Sequence, residues 1–333
     1  MEFDRSIDKK DMYNILNNFY KQIEGASKLG KDIKVTEEVD KIIIAGMGGS
    51  ALPGTILESY LNLKIPIIIV RDYSLPKSVD NKSLVFAVSY SGNTEETISC
   101  YKKAINKKCR LVTICSGGKL LELSRMNKTP CVIVPHGLEP RMAYAYQFFP
   151  ILRILENSNF INKQDDYIDN LIRLIKKNDK VIELSQQLAE KMFQKIPLIY
   201  TSEKLKAAGY KWKINFNENA KILAFNNVFP EFNHNEINGY INKIGDFYAV
   251  IIRDDEEFSR VRKRMAIIKG LLKKYNIPVT EILIKGEDPL TKLFSAIFIG
   301  DWTSYFLALA YKIDPTKVDI VEDLKKQLGP FVK

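Results

Sequence analysis

The chain reads as an α/β protein built from two doubly wound parallel sheets flanked by helices, and three observations carry that reading. Apolar, β-branched runs recur at 41–46, 66–70, 84–89, 110–115 and 130–134, with helical patterns in the intervals. A polar, Asn-rich segment at 157–166 interrupts the rhythm, and strand-like runs return at 196–201, 247–252 and 279–284. Short apolar strands alternating with helices are the pattern of parallel sheets covered on both faces. The expected division is a helical segment over 1–35, a first sheet domain over 36–158, and a second over 159–333 that ends in a helix.

Taken in order, residues 9–29 are amphipathic and predict one helix that covers a sheet edge. The run 41–46 enters a glycine turn, Gly46-Met47-Gly48-Gly49-Ser50, before a helix over 51–61. Strands at 66–70 and 84–89 follow, then a helix over 97–108 and strands at 110–115 and 130–134. A long apolar helix spans 144–157. After the polar break a charged helix extends to about 195, and the second set of strands begins. A long apolar helix over 291–313 and a charged one over 318–328 close the chain.

Composition excludes several classes. With 333 residues and 46% hydrophobic content, each half is able to bury its own core. No run of 18 residues is free of charges, which argues for a soluble protein, and the charged start Met1-Glu2-Phe3-Asp4-Arg5 lacks the pattern of a secretory or transit peptide. A cytoplasmic protein without a membrane partner is the expectation. The four cysteines (Cys100, Cys109, Cys115, Cys131) contain no C-x₂-C pair, so free buried thiols are expected rather than a metal site. The net charge of +10 is spread along the chain. Its densest stretches, Lys107-Lys108 and 260–264, lack interleaved aromatics, which argues against nucleic acid as a partner.

The most informative stretch is Ser89-Tyr90-Ser91-Gly92-Asn93-Thr94-Glu95-Glu96, directly between a buried-type strand and a helix. Unpaired N–H groups and the positive end of the helix dipole converge at such a turn, and three hydroxyls with a glycine among them suit a phosphate dianion. An N-capped helix with an acidic first turn is the simpler alternative. The turn Gly46–Ala51 satisfies a loose G-x-G-x-x-G/A form, with Asp72 after the next strand, so a dinucleotide competes with a compact sugar phosphate shared between the two loops. Beyond these turns the candidates are scattered. Glu218 lies between two asparagines and reads as a loop acid or a base; His234 and His136 are the only imidazoles. Arg141 starts an apolar helix, where a cation opposes the macrodipole unless it faces an anion.

These elements together carry a resemblance. Gly46-Met47-Gly48-Gly49-Ser50, the 89–97 turn, Pro140-Arg141, Asn217-Glu218-Asn219-Ala220-Lys221 and Phe232-Asn233-His234-Asn235-Glu236 resemble the bifunctional phosphoglucose/phosphomannose isomerases of archaea and some bacteria. Those enzymes are built from two flavodoxin-like sugar-isomerase (SIS) domains, and the match spans both halves in order.

The resemblance implies an aldose–ketose isomerase that interconverts glucose 6-phosphate and mannose 6-phosphate with fructose 6-phosphate, using neither cofactor nor metal. Gly48, Gly49, Ser50, Ser89, Ser91 and Thr94 would bind substrate, the hydroxyls holding the 6-phosphate. His234 would open the sugar ring with help from a C-terminal lysine, for which Lys325 is the best match and Lys326 its neighbour. Glu218 would move the proton between C2 and C1 through a cis-enediol, and Arg141 would stabilise the enediolate. A homodimer with His234 reaching across the interface is also implied. The stretch 144–149 is bulkier than the family pattern after the arginine, and His136 has no implied role. Two other classes stay open: a silent sugar-phosphate sensor, which would survive Glu218→Gln, and an NAD(P)-binding enzyme, which NADH titration would reveal.

Overall fold

A computed structural model of the protein describes residues 1–329. The chain forms two compact units, one of residues 19–168 and one that joins residues 1–18 to 169–329. The last four residues of the expected second domain, 330–333, lie outside the described residues.

Where one amphipathic helix is expected near the start, the structure has two: α1 (Met12–Asn17) in the second unit and α2 (Phe19–Ala26) in the first. The break has a local cause. The Asn18 backbone N–H bonds back to the carbonyls of Asn14 and Leu16, and its side-chain amide donates to Asn14 O at 2.9 Å. Asparagine competes for helix carbonyls in this way and ends the run.

The first unit then follows the expected alternation: β1 (Lys41–Ala45), α3 (Leu52–Tyr60), β2 (Ile67–Val70), β3 (Ser83–Val88), α4 (Glu95–Asn106), β4 (Arg110–Cys115), α5 (Gly118–Met126), β5 (Cys131–Ile133) and α6 (Tyr144–Asn157). All pairings are parallel, in the order β2-β1-β3-β4-β5. Strand β3 is buried along its whole length, as its continuous apolar sequence requires. On one face Ile43, Val85 and Ala87 pack with Cys100, Tyr101 and Ala104 of α4. The chain order reverses between β1 and β3, so the turns leaving both strands flank one crevice at their carboxyl ends, where open α/β sheets take ligands.

The predicted charged helix is divided into α7 (Asp165–Lys176), within which the chain passes from the first unit into the second, and α8 (Asp179–Met192). The second unit continues as β6 (Ile196–Ser202), α9 (Lys206–Glu218), β7 (Phe225–Phe229), β8 (Phe247–Arg253), α10 (Ser259–Lys274), β9 (Val279–Leu283), α11 (Pro289–Ala310) and α12 (Asp319–Leu328). The sheet order is β7-β6-β8-β9, all parallel. Helix α11 is long and apolar enough to cross a membrane, but 94% of its most apolar stretch is buried inside the protein. Its start is fixed by a capping box in which Asp288 and Thr291 satisfy each other's backbone N–H groups. The turn after β8, which corresponds by topology to the serine turn after β3, carries Asp254-Asp255-Glu256-Glu257. Four carboxylates stand there in place of hydroxyls, and they pair with cations: Asp254 and Glu256 with Lys292, and Asp255 with Arg253.

Candidate active site

In the first unit three turns meet. Strand β3 ends at Val88, and Ser89 continues the ladder by donating its N–H to Ile114 O at 3.0 Å. Its hydroxyl is the centre of the turn: it accepts from Gly92 N at 3.1 Å and Thr94 N at 3.4 Å, and lies 2.8 Å from Thr94 Oγ1. Ser91 Oγ accepts from Asn93 N at 3.2 Å. Thr94 occupies the N-cap position of α4 without making a side-chain cap bond, so the simple capping alternative does not describe this turn. Gly92 is obligatory in two ways. Its φ is +73°, and a Cβ there would lie 1.8 Å from Gly117 O.

The glycine turn after β1 closes as a 3₁₀ turn, Gly48–Ser50, and buried Ser50 accepts the Tyr90 N–H at 3.1 Å. A Cβ on Gly49 would sit 2.8 Å from Arg141 N, which is why a glycine stands where the third turn, Pro140–Met142, approaches. Arg141 is therefore not the first residue of the apolar helix but precedes α6 in that short turn. Its guanidinium is 1% exposed and lies 3.5 Å from the Glu139 carboxylate. Gln147 of α6 donates to Pro140 O at 3.2 Å and steadies the turn from beneath. The structure thus brings Gly48, Gly49, Ser50, Ser89, Ser91, Thr94 and Arg141 into one neighbourhood. Gly48 and Ser91 are exposed and Thr94 half-buried, whereas the Ser89 hydroxyl is engaged within the turn. His136 is exposed on the segment after β5.

In the second unit Glu218 is the last residue of α9, half-buried, rather than a loop acid. Lys221 caps this helix end, its ammonium donating to Glu218 O at 2.6 Å, Asn219 O at 3.3 Å and Asp314 O at 3.1 Å. Upstream, Lys211 Nζ pairs with Asp301 Oδ1 of α11 at 2.9 Å with both side chains fully buried, and Asn219 donates to Ser304 at 2.9 Å. These bonds lock the register of α9 on α11 and so the place where Glu218 leaves the helix. His234 ends a 3₁₀ turn, Glu231–His234, and is exposed. Lys325 and Lys326 stand on α12, which buries no residue, and pair one helical turn back, with Glu322 at 2.7 Å and Asp323 at 3.7 Å.

Fold and turns define a class, the two-domain sugar-isomerase type, and comparison with known proteins gives the family. Residues 182–328 match the family described as bacterial phospho-glucose isomerase C-terminal SIS domain. A bifunctional phosphoglucose/phosphomannose isomerase of Caldicellulosiruptor bescii is 38% identical over 96% of this chain and 99% of its own. A D-glucosamine-6-phosphate 4-epimerase of Sulfolobus acidocaldarius is 34% identical over 74% of this chain and 78% of its own. Among solved structures, a phosphosugar isomerase fold from Clostridium difficile superimposes with a TM-score of 0.75 at 18% identity, covering 96% of this chain and 98% of that one. The chain belongs to the bifunctional phosphoglucose/phosphomannose isomerase family.

Proposed function

We propose that the protein interconverts glucose 6-phosphate and mannose 6-phosphate with fructose 6-phosphate through a cis-enediol, without a metal or cofactor. The observation that carries this is family membership over almost the full chain, with a curated relative of that name matched end to end. The hydroxyl-rich turns at the β1/β3 reversal support a phosphate there: Gly48, Gly49, Ser50, Ser89, Ser91 and Thr94 bind the substrate end that does not react. Glu218 removes the C2 proton of the open aldose and returns it at C1, Arg141 stabilises the enediolate charge, and His234 with Lys325 moves the proton that opens the ring. Both C2 epimers give the same enediol, so one base serves two aldoses.

We further propose a cytoplasmic homodimer in which His234 acts on the partner's substrate. The exposed apolar stripe Ile320, Leu324 and Leu328 on α12 supports assembly with a second copy. A coupled assay on fructose 6-phosphate in EDTA, following both aldose products, tests the reaction. Glu218→Gln should lower kcat by about 10²–10⁴-fold and leave KM nearly unchanged. Formation of a single aldose, loss of activity in chelator, or full activity of the variant each overturns the corresponding part. The epimerase relative supports one second reading, and turnover of D-glucosamine 6-phosphate would establish it.

A further inference from the structure

His234 is exposed, yet the turn that carries it rests on a buried foundation. Two residues before it, Phe232 is fully buried, its ring stacked on Tyr200 with centroids 4.3 Å apart and planes 9° from parallel. Phe229 meets the same ring edge-on at 4.6 Å. Two residues after it, Glu236 is held by both carboxylate oxygens. Tyr200 donates to one at 2.6 Å and Asn227, on the edge strand β7, donates to the other at 2.7 Å. Tyr240 donates to the Tyr200 hydroxyl at 2.9 Å, and the Glu236 N–H is taken by its neighbour Asn235 at 2.6 Å.

One side chain of β6 therefore grips the histidine's turn on both sides, by stacking on the residue before and by hydrogen bonding to the residue after. Burial pushes the Tyr200 phenol well above its ordinary range and holds Tyr240 at about 12, so both remain donors at any working pH. A short exposed turn with no such foundation would let an imidazole wander by an ångström or more. Misplacement of that size is enough to cost about 10²-fold in rate.

We infer that Tyr200, acting with Glu236 and Asn227, is the positioning residue for the His234 imidazole, fixing it for proton transfer to the ring oxygen. The inference rests on the reading of His234 as the ring-opening group. None of the three need touch substrate; they act through the histidine.

The test is a cycle of variants assayed on glucose 6-phosphate. Tyr200→Phe keeps the stacked ring and removes only the hydroxyl. It should lower kcat by about 10-fold or more with KM within about twofold. In a His234→Asn background the same change should cost nothing further, because a positioning residue has no effect once the group it positions is gone. Asn227→Ala, on the sheet edge, should reproduce the effect more weakly, and it carries the test should Tyr200→Phe melt below the assay temperature. An equal loss from Tyr200→Phe with and without His234 overturns the positioning inference alone. Full activity of His234→Asn overturns the reading of the histidine on which it rests.

Discussion

Ser50 Oγ accepts the backbone N–H of Tyr90 at 3.1 Å, a bond between residues forty positions apart. It ties the turn leaving β1 to the turn leaving β3, across the strand pair where the sheet order reverses. The two loops are thus one structure, and under the proposed reading substrate binding at one should depend on the other. Replacing Ser50 by alanine leaves the buried Tyr90 N–H without its partner, at a cost of about 1–3 kcal/mol. The expected outcome is a lower Tm together with a raised KM for fructose 6-phosphate. Ser91→Ala is the contrast: Ser91 is exposed and its hydroxyl accepts from the Asn93 N–H two positions on, within the same turn, so KM should rise with Tm nearly unchanged. Equal Tm shifts in both variants would contradict this division of labour.

Gly92→Ala should be the most damaging single methyl in the first unit. The added carbon meets Gly117 O at 1.8 Å on a backbone with φ +73°. Main chain lies on both sides, so no flexible side chain is available to yield. The loss of stability should exceed about 2 kcal/mol, read by urea unfolding, and the serine turn must rearrange with it. Gly48→Ala also has a left-handed φ but meets nothing within 4 Å, so it should be milder. A Gly92 variant as stable as that one would show that the 116–118 segment moves freely.

In the second unit the fully buried Lys211–Asp301 pair, 2.9 Å apart, sits between α9 and α11. Asp301→Ala removes the carboxylate from an ammonium that has no exposure to water. Breaking such a pair from one side costs about 3–5 kcal/mol. Thermal unfolding should show the loss, and kcat should fall with it because α9 carries Glu218 at its last residue. A double change that makes both positions apolar should recover stability without recovering kcat. Recovery of both would mean that the pair has no bearing on Glu218.

The legible parts of this fold were those whose signals are local. Strand β3 and helix α6 appear at their expected places because a continuous apolar run and a long apolar helix need no distant partner to be recognised. The serine turn was legible for the same reason: strand, hydroxyls, glycine and acidic helix start follow in one stretch. Strand β7 was not. Its sequence Phe-Asn-Asn-Val-Phe looks like a loop, and it is a strand because β6 offers it a ladder and Asn227 finds Glu236. The close approach of the Arg141 backbone requires Gly49, more than ninety positions earlier, and the Tyr200–Glu236 bond spans 36 positions. Such pairings come from sheet register, which spacing along the chain does not reveal.

The four cysteines are not equivalent, and pH separates them. Cys115 on β4 and Cys131 on the edge strand β5 bring their sulfurs within 3.8 Å. The hydrogen bond from Cys115 stabilises the Cys131 thiolate and, with the Thr113 and Ser124 hydroxyls, outweighs burial to bring it to about 6. The same contact, followed by burial, pushes Cys115 far up. An ordinary thiol is half-ionised near about pH 8.5, so Cys131 ionises at lower pH in the folded protein than in the unfolded chain. The sign follows: this group favours the folded state above the unfolded value, and the contribution fades as pH falls towards 6. Alkylation by iodoacetamide, mapped by peptide mass, should therefore mark Cys131 first, with a rate that climbs through pH 6 and levels by neutrality. Cys100, held at about 11 by burial, and Cys115, pushed further up and equally buried, should react last if at all. Cys115→Ala removes the donor and should move the Cys131 midpoint up towards the ordinary range. A midpoint that starts there in the unaltered protein would show that the two sulfurs do not share a proton.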